Sequence, residues 1–247
     1  MEMLWSNVLK PNDSDLEIEP VRAKVAIKKI WIIAAYKKEP IDQINRVAFE
    51  YIEAVEDSWV IPYIIPCNVK NIDSYIENMD AFIFPGWIDI DPSFYWEELN
   101  GSKGIMTKND EFLLNFMKKI IESWKPILGI CKGMQLINIY FWGKLVQHLN
   151  TADFHDQYEK HNESIDVAII VEDSFIHEIF STKELPINSL HHQAVSTLGK
   201  DLKIVATSKY DGTIEGIEHT SLPIYGVQWH PERLKDHKNI FEWFVNL

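Results

Sequence analysis

The 247-residue chain carries 37 acidic and 24 basic residues, a formal net charge of −13. That balance argues against nucleic acid as the main partner, because a phosphate backbone selects a basic face, and against a polybasic membrane contact. Two cysteines, Cys67 and Cys131, are too few for a disulfide framework. The acidic N-terminus lacks an apolar signal region and no apolar stretch is long enough to span a bilayer, so a cytoplasmic protein without membrane contact is expected.

In chain order, residues 1–24 are mixed and acidic, with Pro11 and Pro20, and show no steady period. They are expected as an N-terminal extension, with 25–247 as one domain. Ile30 to Ala35 is near-continuously apolar, which suits a central parallel strand covered on both faces. Apolar residues at Ile41, Ile44, Val47, Ala48, Tyr51, Ile52 and Val55 predict an amphipathic helix over 41–55. A second strand is expected at 60–65 with Pro62 at its start or on an edge, a short helix at 72–79, and a third strand at 81–84 that ends at Pro85-Gly86. This alternation predicts an α/β fold, an open, doubly wound, mostly parallel sheet with helices on both faces.

A long loop follows over 86–108, rich in aromatic residues, and long loops after parallel strands are often functional. The helix at 110–123 has Asp110 and Glu111 early and Lys118 and Lys119 late, matching its dipole. Ile127 to Ile130 forms a strand that feeds a turn at Cys131, and a helix runs over 133–142 with Gly143 closing it. Residues 144–163 are polar and hold His148, His155 and His161 at a spacing that fits no compact zinc motif, so no metal is expected. Strands are expected at 165–171, 202–207, 213–219 and 223–228, with a tight turn at Asp211-Gly212 and a closing helix over 234–247.

Two clusters carry chemistry. Cys131 lies between a strand and a helix, flanked by Gly129 and Gly133. A helix that starts just after a cysteine points free N–H groups at the sulfur, which favours a reactive thiol and can bind an oxyanion. A buried core cysteine is the alternative. The second cluster is His230-Pro231-Glu232 at the end of a late strand. In extended chain these two side chains lie on one side, so the carboxylate can set the imidazole tautomer and leave the other nitrogen to take a proton from a thiol. Spacing alone also allows an ordinary surface pair.

Residues 128–137, Leu-Gly-Ile-Cys-Lys-Gly-Met-Gln-Leu-Ile, resemble the nucleophile elbow of class I glutamine amidotransferases, and Val227 to Glu232 resembles their histidine–glutamate segment. Asn188 to Gln193 resembles a segment of one branch, the gamma-glutamyl-gamma-aminobutyrate hydrolases of the peptidase C26 type. Gly86, Asp89, Pro92 and Tyr95, Gly143 with Gln147, and Asp211-Gly212 with Glu215 extend the likeness over most of 28–246. The resemblance implies Cys131 as nucleophile, His230 as general base and later acid, and Glu232 as its orienter. It implies oxyanion donors at the backbone N–H groups of Lys132 and Trp87, and contacts to the substrate at Gly86, Gln135 and His192. Three positions depart from the pattern: Lys132 where the branch usually has arginine, Trp87 where glycine or a small residue is usual, and His148 where many relatives carry aspartate. The implied reaction cleaves a γ-glutamyl amide through a glutamyl thioester, releasing glutamate and an amine, without metal or organic cofactor. The implied partner is a small γ-glutamyl molecule, and a homodimer stays open. Two alternatives remain: a glutaminase subunit that passes ammonia to a separate synthase, and a non-catalytic binding protein, which the joint presence of Cys131, His230 and Glu232 opposes.

Overall fold

The computed structural model describes residues 28–38, 43–67, 69–86 and 88–247. The expected extension over 1–24 and the residue Trp87 lie outside these. The first apolar run forms β1 (Lys29–Ile33), followed by a hairpin of β2 (Ala35–Lys38) and β3 (Gln43–Arg46), then α1 (Phe49–Glu56) and β4 (Ile61–Ile65). The single helix expected over 41–55 is therefore half strand. Gln43 to Arg46 pairs antiparallel with Ala35 to Lys38, so the helix starts only at Phe49.

Next come α2 (Ile72–Asn78), β5 (Ala81–Phe84), a short 3-10 turn at Pro92–Tyr95, α3 (Thr107–Glu122), β6 (Ile127–Ile130) and α4 (Lys132–Tyr140). The polar stretch after α4 holds β7 (Lys144–Val146) and the short α5 (Ala152–His155). The chain closes through β8 (Asp166–Ile170), α6 (Phe175–Phe180), β9 (Glu184–Ile187), β10 (Ala194–Thr197), β11 (Leu202–Ser208), β12 (Ile214–His219), β13 (Ile224–Val227) and α7 (Asn239–Val245). Gly143 does not supply the left-handed residue that ends α4. Trp142 holds that conformation, at φ 71°. Gly143 is small for a different reason: a Cβ there would sit 2.2 Å from the Asn138 amide nitrogen.

The main sheet has nine strands in the order β4-β1-β5-β6-β13-β12-β11-β8-β9. It is parallel from β4 to β13 and antiparallel from β13 to β9. Pro62 and Pro186 lie on the two edge strands, where a missing N–H is tolerated. Along β1, Ile30 and Ile32 face a core with α1, α6 and α7, while Trp31 and Ile33 face a second core with α2, α3 and α4. Both faces are thus buried, as the unbroken apolar runs require. The carboxyl ends of β1, β5, β6 and β13 converge in the parallel half, the usual place for a site in an open α/β sheet.

Candidate active site

Cys131 leaves β6 with φ 51° and ψ −108°, a conformation that costs a non-glycine residue of the order of 1–3 kcal/mol. Its N–H donates to the Val227 carbonyl of β13 at 2.8 Å, so the strain is held by the sheet. The flanking glycines allow the crossing of elements beneath the turn. A Cβ on Gly133 would lie 2.0 Å from the Phe84 carbonyl oxygen, and one on Gly129 would lie 2.5 Å from Gly133. Lys132 is the first residue of α4, so its N–H has no acceptor within the helix and points toward the Cys131 end. The Lys132 side chain turns inward to a buried ion pair with Asp110 of α3, Nζ to Oδ1 2.6 Å. The other Asp110 oxygen accepts from the Asp91 N–H at 2.9 Å, which ties the long loop to the same point.

His230 follows β13 and is clamped by Asn188: its N–H donates to Oδ1 at 2.9 Å, and the Asn188 amide donates to its carbonyl at 3.0 Å. His230 Nδ1 lies 2.6 Å from Glu232 Oε1, and its Nε2 edge stands beside Cys131, with Nε2 and Cys131 Cβ 3.3 and 3.1 Å from where a Gly86 Cβ would sit. The extended geometry expected for His230 and Glu232 is corrected here. Pro231–Arg233 is a 3-10 turn, and the turn rather than strand alternation brings the carboxylate back to the ring. Burial opposes charging of His230, yet Glu232 and the Cys131 sulfur outweigh it and push its pKa up to about 10.

Gly86 passes directly over this pair. A Cβ there would meet His230 Cε1 at 2.6 Å and Cys131 Cβ at 3.1 Å. The Gly86 N–H donates to the Tyr51 hydroxyl at 3.0 Å, and that hydroxyl also lies 3.5 Å from His230 Nδ1. Sequence reading placed Tyr51 only on the apolar face of a helix. Its role depends on α1 packing across the end of β5, which no local pattern reveals. Burial, then the adjacent Glu232 carboxylate, holds the Tyr51 phenol well above its ordinary pKa.

Two cavities meet at Cys131. One of about 320 Å³ is lined by Ala48, Tyr51, Ile88, Tyr158, Leu190 and Arg233 with Gly86, His230 and Glu232. The other, of about 80 Å³, is polar and includes Asp89, Lys132, Gln135, Asp156, His192 and Gln193. Gln135 is fixed by bonds from its amide to the Gln193 carbonyl and Gln228 Oε1, at 3.2 and 3.1 Å. His192 Nε2 lies 3.0 Å from Asp89 Oδ2, and its Nδ1 lies 3.0 Å from His148 Nδ1. Burial raises the Asp89 pKa against the opposing effects of the Lys103 N–H and His192.

Behind the polar cavity, His155, His191 and Glu215 bring potential metal-ligand atoms within 4.8 Å of one another. Both ring nitrogens of each histidine already have protein partners. His155 meets Ser189 Oγ and Asp211, and His191 meets Ser189 Oγ and the Gln193 carbonyl. Glu215 differs from the two histidines: its buried Oε1 and Oε2 have no hydrogen-bond partner among the described residues, with Oε1 3.4 Å from His191 Nε2.

A strained cysteine at a strand–helix turn, set against a buried histidine–glutamate pair in the parallel half of this sheet, defines the class I glutamine amidotransferase-like class. The Peptidase C26 family model matches residues 28–232, and the chain belongs to that family, whose chemistry is amide-bond hydrolysis. It is 34% identical over 214 residues to a protein of Lactococcus lactis described as glutamine amidotransferase-like, covering 82% of this chain and 90% of that protein. It is 31% identical over 185 residues to a gamma-glutamyl-CDP-amidate hydrolase of Campylobacter jejuni, covering 73% and 78%. A solved structure from Thermoplasma acidophilum, described as one of the subunits of a GMP synthase, shares the fold, with TM-score 0.63 at 20% identity over 89% of this chain and 93% of that one. No helix among the described residues is long and apolar enough to cross a membrane.

Proposed function

We propose that the protein hydrolyses the γ-glutamyl amide of a substituted amine through a glutamyl thioester at Cys131. The observation that carries this reading is the convergence of Cys131, the His230 ring and Glu232 on one cavity, with His230 Nδ1 2.6 Å from Glu232 Oε1. Glu232 fixes Nδ1 as the nitrogen that donates to it, which leaves Nε2 for the sulfur. The sulfur attacks the side-chain carbonyl carbon, and the resulting oxyanion is met by the Lys132 N–H and the N–H that follows Gly86. His230 gives its proton to the departing amine as the C–N bond breaks. Water then loses a proton to His230, adds to the thioester, and releases glutamate with the thiol restored.

The polar cavity supports the glutamyl end, with Asp89 suited to an ammonium and Gln135 and His192 near its carboxylate. The larger cavity favours a substituted amine over ammonia as the leaving group, because about 320 Å³ lies in the range of small-molecule sites. A panel of γ-glutamyl amines, glutamine included, assayed for glutamate release tests the reading. Turnover of substituted amides by the isolated chain, lost in Cys131→Ala, is the expected result. Hydrolysis of glutamine alone, and only after a synthase is added, would favour the glutaminase reading. Full activity in Cys131→Ala would end the thioester mechanism.

A further inference from the structure

We infer that Tyr51 is a positioning residue for this site, a single hydroxyl that holds the Gly86 loop and the His230–Glu232 pair in register. The inference rests on the thioester reading above. Tyr51 is buried on α1, outside every segment that supplies the cysteine, histidine or glutamate. Its oxygen takes the Gly86 N–H at 3.0 Å, so that N–H is not the one turned to an oxyanion. Because His230 Nδ1 donates to Glu232, the hydroxyl proton is left to the Glu232 carboxylate, whose Oε2 has no hydrogen-bond partner among the described residues. Without the hydroxyl, the half-buried N–H at Gly86 loses its acceptor and the loop is free to shift over the sulfur.

The test is Tyr51→Phe, which keeps the ring and removes one oxygen. Two readouts are paired: kcat and KM on the best γ-glutamyl amide, and the rate at which iodoacetamide alkylates Cys131, read by peptide mass so that Cys67 does not interfere. A fall of ~10-fold or more in both kcat and alkylation rate, with KM within about threefold and a folded protein, is expected. An alkylation rate equal to the parent's overturns the inference even when no substrate turns over. Parent turnover abolished by Cys131→Ala but unchanged in Tyr51→Phe overturns the inference and leaves the thioester reading standing.

A separate observation concerns four tryptophans. Among the described residues, Trp59, Trp96, Trp124 and Trp142 have φ between 58° and 71°, half of the non-glycine residues at positive φ. Each sits just past a helical turn and donates its N–H back three residues, to the carbonyls of Glu56, Ser93, Ile121 and Ile139. For Trp96 and Trp142 the next N–H closes the outer bond as well, to Pro92 and Asn138. This is the Schellman arrangement, whose left-handed residue is usually glycine. All four side chains are between 60 and 93% exposed; Trp96 and Trp142 stack on each other with ring centroids 5.2 Å apart, and no contact to the core compensates for a bulky residue in that conformation. By contrast, Trp31 and Trp229 are core residues with ordinary backbones. Ten glycines in 247 residues is also well below the ~7% of average chains.

The geometry points to glycine as the residue that the source organism inserts at 59, 96, 124 and 142. One codon, UGA, is read in different genetic codes as stop, as tryptophan or as glycine, and such a codon would split the tryptophans in this way. The experiment is peptide mass spectrometry of the chain purified from its source. Glycine at the four positions with tryptophan at 31 and 229 is expected, and tryptophan at any of the four overturns the inference. In the recombinant chain, the combined W59G, W96G, W124G and W142G variant should melt above the parent, and an equal or lower Tm overturns the steric premise.

Discussion

Gly86→Ala adds one methyl group at the point where the loop crosses the site. Its Cβ would start 2.6 Å from His230 Cε1, and ordinary contact begins at 3.4 Å. The imidazole cannot retreat freely, because Nδ1 is held at 2.6 Å by Glu232 and the backbone is clamped by Asn188 at 2.9 and 3.0 Å. Cys131 Cβ, at 3.1 Å from the added atom, blocks the other direction. A displacement of about 0.8 Å therefore falls on the histidine–sulfur contact or on the loop, and a shift of ~1 Å at reacting groups costs about 100-fold in rate. The overpacking itself costs roughly 1–3 kcal/mol of stability. Glutamate release under saturating γ-glutamyl amide should drop by ~10- to 100-fold, with a modest fall in Tm. A variant with more than half of the parent kcat would refute the placement of Gly86 over the pair.

Three further outcomes follow from the same geometry. Glu232→Gln removes the charge that holds His230 up to about 10, so the high-pH limb of kcat should move to lower pH. The sign agrees with stability: a group raised from 6.5 contributes fully below that value and loses its contribution as pH rises through about 10, so the parent's Tm should fall across that window and the variant's should fall less. Asp110→Ala strands a buried ammonium on Lys132, at a cost of about 3–5 kcal/mol in urea denaturation, while the Asp110→Leu, Lys132→Met pair should recover most of it. A loss under ~1 kcal/mol in the single variant would mean that the pair is not buried in solution. His237 is buried, accepts from Trp229 Nε1 at 3.1 Å, and has its pKa lowered from 6.5 to about 4 by that burial. Its neutral form contributes stability above 6.5 that is lost as pH falls through about 4, so Tm should drop between those values, and a flat profile there would refute it.

The parallel half of the sheet was legible because its strands are buried on both faces and read as unbroken apolar runs at 30–35, 81–84 and 127–130. The elbow was legible for a related reason. A strand that runs into a helix through Cys131 needs small residues where Phe84 and Gly133 approach, and those needs are local. The hairpin at 35–46 was not legible, since Ile44, Val47 and Ala48 satisfy a helical period by coincidence and only the pairing with β2 decides against it. The reach of Glu232 to His230 was expected from strand alternation but is made by a 3-10 turn at Pro231, so a correct contact came from the wrong backbone.

Tyr51 and the left-handed tryptophans depart from sequence expectation in opposite ways. Tyr51 satisfies every local rule: it fits the apolar face of α1 and would pass as core filling. Only its hydroxyl, 3.0 Å from the Gly86 N–H, departs from that role, and the departure is visible only once α1 is laid across the end of β5. The tryptophans do the opposite, breaking a local rule at helix ends with no compensating contact to the core. Rule-breaking residues ordinarily cluster where function rewards strain, as Cys131 does at φ 51°. Trp59, Trp96, Trp124 and Trp142 lie at exposed helix ends and none of them lines either cavity at Cys131, so function does not account for them. Strain that the sheet holds in place at Cys131 and strain that no core contact holds at the helix ends therefore call for different explanations, chemistry in one case and the identity of the residue in the other.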